Sequence, residues 1–262
     1  MSQKVLLALK TRNWETYMDK SQTTFQATVT DERKSPLQRY QDTVLGRSGL
    51  GYLLKYELIM LLCSWVPGAF GFLLRKMFYP SLFGSVGRGV VFGQNLVIRH
   101  PHKIKIGNNV MIDDNCVLDA KGSPGQDFVI GDNVIVSRGC ILSAKKGTLS
   151  IGDNTNFGSD CLVYAVKETS IGRDTLFAAQ CYVGGSMYHI DRTDIPPIQQ
   201  GSYANGVTIG DGCWLGAGVK VIDGVTIGDG VILGTGAVAN KNIEAFTVAV
   251  GVPAKVIKQR KA

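Results

Sequence analysis

The sequence predicts an all-β fold: a parallel β-helix of hexapeptide repeats over residues 86–258, behind a helical, partly apolar N-terminal extension. Three observations carry this. An aliphatic or aromatic residue recurs every sixth position, as in Ile106, Ile112 and Leu118, then Ile130, Val136 and Leu142, Ile151, Phe157 and Val163, and Ile171, Phe177 and Val183. After a gap the series resumes with Ile209, Leu215, Val221, Ile227 and Leu233, weakening through Ala239 and Ala245. Three residues after most of these stands a Gly, Asn or Asp: Asn109, Asn115, Asn133, Gly139, Asn154, Asp160 and Asp174, then Gly212, Gly218, Gly224, Gly230, Gly236 and Asn242, with Gln180 a departure inside that run. These residues adopt positive φ at least cost. Finally, the residue that follows each of these turn positions is small, as in Val110, Cys116, Val134, Cys140, Thr155 and Val219. A period of six with one left-handed position per repeat fits neither a helix nor an ordinary meander.

The chain divides into zones. Residues 1–49 are polar and read as an arm of short helices, with Ser35 as an N-cap and Pro36 in the first turn. Residues 50–85 form an apolar helical hairpin. The run from Leu58 to Leu74 carries no charge and is broken by Pro67-Gly68, so each half is too short to span a bilayer. Lys55, Arg75 and Lys76 flank it, with Tyr52, Tyr56, Trp65 and Tyr79 nearby. Cations and interfacial aromatics favour a bent hairpin dipping into one leaflet; the other reading is a helix pair packed on the main domain or between subunits. Residues 86–258 are the repeat domain, and 259–262 a basic tail.

Ile-Gly pairs fall at 106, 130, 151, 171, 209 and 227, separated by 24, 21, 20, 38 and 18 residues. Three hexads make 18, so each pair opens one three-sided coil and the excess leaves the prism near one edge. Stacked coils bury the repeating side chains in a continuous core. Five of the six cysteines (Cys116, Cys140, Cys161, Cys181, Cys213) occupy the small fourth position. That places them as small packed residues, not as disulfides or metal ligands, and fits a reducing cytoplasmic compartment.

The repeat [Ile/Leu/Val]-Gly-x-x-[small]-x resembles the hexapeptide-repeat acyltransferases, over about two thirds of the chain. The resemblance implies a left-handed coil, which period alone does not. The stretch YVGGSMYHIDRTDIPPIQQG, Tyr182–Gly201, is similar to the sugar O-acetyltransferases of surface-polysaccharide biosynthesis.

The 20-residue excess between Val183 and Ile209 forms a loop, 184–206, with His189, Asp191, Arg192, Asp194 and Pro196-Pro197. Long loops on rigid scaffolds carry function. Acyl transfer to a hydroxyl requires removal of its proton during attack, and imidazole titrates in the right range. Of three histidines, His100 and His102 precede the first well-formed coil, leaving His189 as candidate base. Asp191 or Asp194 either orients the imidazole or serves a turn. The resemblance further implies acetyl-CoA as donor, a homotrimer with sites between subunits, and a saccharide acceptor. It places Gly216, Ala217, Thr235, Asn240 and Lys241 on the coenzyme. Lys255 and Lys258 of the closing GVPAKVIK then reach its phosphates. Trp214 either walls the pantetheine channel or packs as an exterior aromatic, and Asn156 is a candidate acceptor contact. Asn240 stands where many members carry Thr, and no proline follows Asn242-Ile243.

The net charge of +7 comes without a zinc-finger, RNP or basic-helix signature, so no nucleic-acid partner is expected. A zinc hydratase on the same scaffold needs three suitably spaced histidines, and this chain lacks them. A serine acetyltransferase carries a soluble helical domain where this chain has its apolar hairpin. An amino-sugar N-acetyltransferase and a non-enzymatic membrane-associated scaffold remain as alternatives. The expected location is the cytoplasm, with the inner membrane face available to the hairpin.

Overall fold

A computed structural model describes residues 33–125 and 127–261. The arm expected over residues 1–32 lies outside the described residues. From residue 85 onward the chain winds as a solenoid of about seven turns, built from three parallel sheets. The first sheet starts at Ser85–Val86 and ends at Thr226–Ile227. The second runs from Val91–Phe92 through Trp214–Leu215 to Thr247–Val250, and the third from Val97–Arg99 to Val238–Ala239. Each strand pairs with the one a full coil later, so Ile106 faces Ile130, Phe157 faces Phe177 and Val183 faces Val221. The expected hexad residues are buried from Ile106 to Ala239. Stacked Phe157 and Phe177, with centroids 4.6 Å apart, fill the centre. Each such side chain contributes about 1.5–3 kcal/mol of burial.

The corner residues behave as their chemistry dictates. Asn109, Asn115, Asn133, Asn154, Asp160 and Asp174 all take φ between 54° and 60°, and Gln180 follows at 63°. Gln180 thus accepts the strain that Gly or Asn would avoid, because rungs on both sides impose the turn. Asparagine side chains also join neighbouring coils: Asn133 donates to Asn154 at 3.0 Å, and Asn154 to Asp174 at 2.9 Å. The buried cysteines do more than fill space. The thiols of Cys140, Cys161 and Cys213 donate to the carbonyls of Gly158, Ala178 and Gly228 at 3.1–3.2 Å. Thr155 does the same to Gly172 at 2.8 Å. All six cysteines are unpaired, and burial pushes the Cys213 thiol up.

One corner is shorter than the period requires. Ala239 faces Val221 eighteen residues back, but Ile243 bridges to Ile227 and Ala249 pairs with Leu233, sixteen back. The last corner is therefore two residues short. Ile243 takes the buried place expected of Ala245, Asn242 is not left-handed, and Phe246, at φ 56°, supplies the left-handed residue of the next corner, stacked on Gly230. Asn242 instead accepts from the Thr226 N–H at 2.8 Å. The chain then folds back as Lys255–Gln259, antiparallel to Thr247–Val250, and so covers the last strand of the second sheet.

The N-terminal end is closed by helices. Helix α1, Pro36–Tyr40, starts at the expected Ser35 cap with a complete capping box to Gln38. Helices α2, Leu50–Cys63, and α3, Gly68–Phe78, form the hairpin and break at Pro67 as expected. Neither helix is long and apolar enough to cross a membrane. Arg75 pins the pair to the first coil. It is 3% exposed and donates to the carbonyls of Cys63, Val66 and Phe92 at 2.8–3.0 Å. The Tyr56 hydroxyl reaches the Ile98 carbonyl at 2.7 Å. Only one face of the hairpin is used in this way. Leu50, Leu54, Leu58, Leu61, Trp65 and Phe70 all remain more than half exposed.

Candidate active site

The insertions leave the solenoid at one edge, where the third sheet hands over to the first. The longest departs at Gly184 and returns at Val207. Gly184 has φ +102°, and a Cβ there would stand 2.0 Å from the Tyr164 carbonyl oxygen, so only glycine can turn the chain out of the coil. On the return limb the Asp223 carboxylate accepts from the N–H groups of Asn205 and Gly206 at 2.8 and 2.9 Å.

The neck of the loop is a short antiparallel pair, Met187–Tyr188 against Ser202–Tyr203. His189 follows at once. Its N–H donates to the Gly201 carbonyl at 3.1 Å, and its ring lies 4.9 Å from that of Tyr203, tilted by 39°. The imidazole is solvent-exposed. Farther out, the Gln200 amide donates to the carbonyls of Arg192 and Ile195 at 2.7 and 3.0 Å and accepts from the Arg192 N–H at 3.0 Å. The Arg192 guanidinium grips both oxygens of Asp194. Asp194 is therefore engaged within the loop, and Asp191, two residues after His189 in sequence, is exposed.

The other histidines are differently placed. His100 is 5% exposed, its Nε2 lies 2.9 Å from the Asp42 carbonyl oxygen, and burial lowers its proton affinity. Burial, with Arg47, His100 and Lys103 nearby, brings His102 down to about 4. Both belong to the seam between helical cap and first coil.

The residues expected on the donor are spread over two edges of the prism and the closing strand. Gly216 and Ala217 stand at the edge between second and third sheets, with Thr235 stacked one coil later. The Gly216 N–H is already given to the Leu233 carbonyl at 2.8 Å, so of that pair Ala217 is the candidate donor to a ligand. Trp214 faces outward on the second sheet, 50% exposed. Asn240 and Lys241 lie in the shortened last corner, and Lys255 and Lys258 on the closing strand. Asn156 sits outward on the second sheet between Ile135 and Leu176, its buried side-chain oxygen without a hydrogen-bond partner. Within one chain, His189 and the pair Gly216 and Ala217 thus occupy different edges of the prism. Sequence reasoning missed Tyr203 and Gln200. The signal was present in Gln200-Gly201-Ser202-Tyr203, a polar turn and aromatic able to return against Met187-Tyr188-His189. Among the described residues no group of three His, Cys, Asp or Glu is placed to hold a metal.

Residues 206–241 match the family described as bacterial transferase hexapeptide (six repeats). A probable acetyltransferase of Mycobacterium tuberculosis, Rv3034c, is 36% identical over 44% of this chain and 38% of its own length. WbbJ of Escherichia coli, a putative lipopolysaccharide biosynthesis O-acetyl transferase, is 34% identical over 44% of this chain and 62% of its own length. The chain therefore spans less than two thirds of these two relatives. An Escherichia coli dTDP-4-amino-4,6-dideoxy-D-glucose acyltransferase is 31% identical over 68% of this chain and 83% of its own. The chain belongs to the hexapeptide-repeat acyltransferase family.

Proposed function

We propose that the chain is an acetyl-CoA-dependent O-acetyltransferase acting on a sugar hydroxyl in surface-polysaccharide or lipopolysaccharide biosynthesis, with His189 as general base. One observation carries this reading: the only histidine outside the cap seam is held, exposed, at the neck of the one long excursion. The imidazole takes the hydroxyl proton as the oxygen attacks the thioester carbonyl. The tetrahedral intermediate then collapses, the C–S bond breaks, and the proton leaves with the CoA thiolate. Tyr203 packs against the ring, Asp191 is the candidate to steady it, and Asp194 shapes the loop through Arg192. The Ala217 N–H is the proposed oxyanion donor. Trp214, Gly216, Thr235, Asn240 and Lys241 line the donor path, and Lys255 and Lys258 meet the coenzyme phosphates.

The separation of His189 from Gly216 and Ala217 supports a site completed by a neighbouring subunit of a homotrimer. The outward residues of the second sheet, among them Met111, Ile135, Leu176 and Trp214, are 40–50% exposed and apolar enough to be covered by such a neighbour. Sedimentation as a monomer at working concentration would contradict this. We place the protein in the cytoplasm, with the exposed hairpin face on the inner membrane surface.

A second reading is transfer to the amine of an amino sugar, favoured by the name of the third relative. Thiol release from acetyl-CoA with paired saccharides, one bearing a hydroxyl and one an amine at the same carbon, separates the two. Turnover with the hydroxyl sugar is expected; turnover with the amine sugar alone selects the second reading, and with neither, the scaffold alternative.

A further inference from the structure

The three edges of the prism differ in charge, and the difference is concentrated in the coils below the catalytic loop. Over the first four coils, the edge between first and second sheets carries Arg88 against Asp132 and Asp153. The edge between second and third sheets carries Arg138 against Asp113, Asp114 and Asp160. The edge between third and first sheets carries Lys103, Lys121, Lys145, Lys146 and Lys167 against Asp127 and Glu168. This last edge is the one from which the His189 loop departs.

A bland solvated surface has no reason to sort cations onto a single edge. The sorting is also close-packed. Successive coils are about 4.8 Å apart, so from the first coil to the loop the row is about 19 Å long. Burial disfavours the charge of Lys121, as Arg99 and Lys145 do against the opposing pull of Asp119, and burial disfavours that of Lys103 against the pull of Asp127. A row of like charges at rung spacing repels itself, and a bound polyanion relieves the repulsion. Between the row and the loop the chemistry changes. The Lys145 ammonium sits 4.5 Å from the centre of the Tyr164 ring, and the Tyr182 hydroxyl lies 2.7 Å from where a Gly185 side chain would begin. An aromatic surface where the loop leaves the coil suits a sugar ring, and lysines beyond it suit phosphate. At its far end the edge meets the helical cap: His100 is bonded to Val44 and lies against Asp42, and α2 begins a few residues on with Leu50 and Leu54 exposed.

We propose that this lysine edge is a phosphate-binding track, and that the acceptor is a sugar carried on a diphosphate, with the sugar at Tyr164, Tyr182 and His189 and the diphosphate toward the helical cap. The proposal rests on the acyltransferase reading for the role of His189. Its test, however, reads binding and not turnover, so the two fail separately. The diphosphate ester can be a soluble nucleoside diphosphate sugar or a polyprenyl diphosphate sugar in a membrane, and the geometry at the cap favours the second.

The experiment measures equilibrium binding of inorganic pyrophosphate to the full chain, with coenzyme A in excess to fill any donor phosphate site. The variant K145E/K146E/K167E reverses three exposed charges of the track. K105E/R88E/R138E makes the same change in net charge elsewhere. The track variant is expected to lose about tenfold or more in affinity, with the control within about twofold of the parent. K145A/K146A/K167A, which only removes charge, should fall between them. Two further arms use uridine diphosphate glucose, and phosphatidylcholine vesicles doped with a polyprenyl diphosphate. Track-dependent binding of either supports the proposal and identifies the source. The proposal is overturned if pyrophosphate does not bind or if track and control variants weaken it equally. It is equally overturned if glucuronate binds as tightly as pyrophosphate, or if neither ester shows track dependence.

Discussion

His102 shows how one half-buried titratable residue couples the cap to pH. Burial and the cations around it hold its folded-state value at about 4, against 6.5 in the unfolded chain. The unfolded chain therefore takes up the proton first. Stability from this group is full above about 6.5 and is lost as pH falls from there toward 4, with His100 acting in the same direction. Carboxylates with ordinary values remain largely ionised between pH 5 and 6.5, about a unit or more above the usual range, so that window isolates the histidines. His102→Asn is expected to flatten the fall in melting temperature across it, and an unchanged slope would show that the cap is not the acid-labile part. At the same scale, Gln180 and Asn242 teach opposite lessons. Gln180 breaks the sequence pattern yet keeps the left-handed turn, because its neighbours in the stack leave no other course. Asn242 obeys the pattern yet abandons the turn, because the corner around it is two residues short.

Helices α2 and α3 are the element on which the sequence supported two readings, and the structure shows one face packed and the other exposed. Tyr56, Ile59, Cys63 and Arg75 are buried against the first coil, as a packed pair would be. The opposite face presents Leu54, Leu58, Leu61 and Trp65 to solvent, as an interfacial hairpin would. Periodicity could not separate these outcomes because the whole run is apolar. It took the three carbonyls gathered by Arg75, a residue that reads from sequence as a flanking cation, to fix which face turns inward. The membrane assignment predicts that L58D/L61D abolishes flotation with phosphatidylglycerol vesicles while leaving the melting temperature within a few degrees, since both residues are exposed. Equal flotation of variant and parent would leave the exposed face to another subunit.

For the whole molecule, the solenoid was legible because it is written redundantly: every coil repeats the same demands, and a lapse at one hexad is outvoted by its neighbours. The loop was legible as an interruption of that period, and His189 as its only histidine. What surrounds His189 was not legible, because the pairing of Tyr188 with Ser202 joins residues with no repeat to place them. Nor does distance along the sequence reveal that Gly216 and Ala217 occupy a different edge from the base they are expected to serve. That separation is the gap that the proposed homotrimer would close. The most direct test of its central claim is the rate of thiol release from acetyl-CoA, with a saccharide acceptor present, for the parent and for His189→Ala. A loss of about 10²–10⁴-fold with an unchanged melting temperature is expected, and a variant that kept full turnover would contradict the claim.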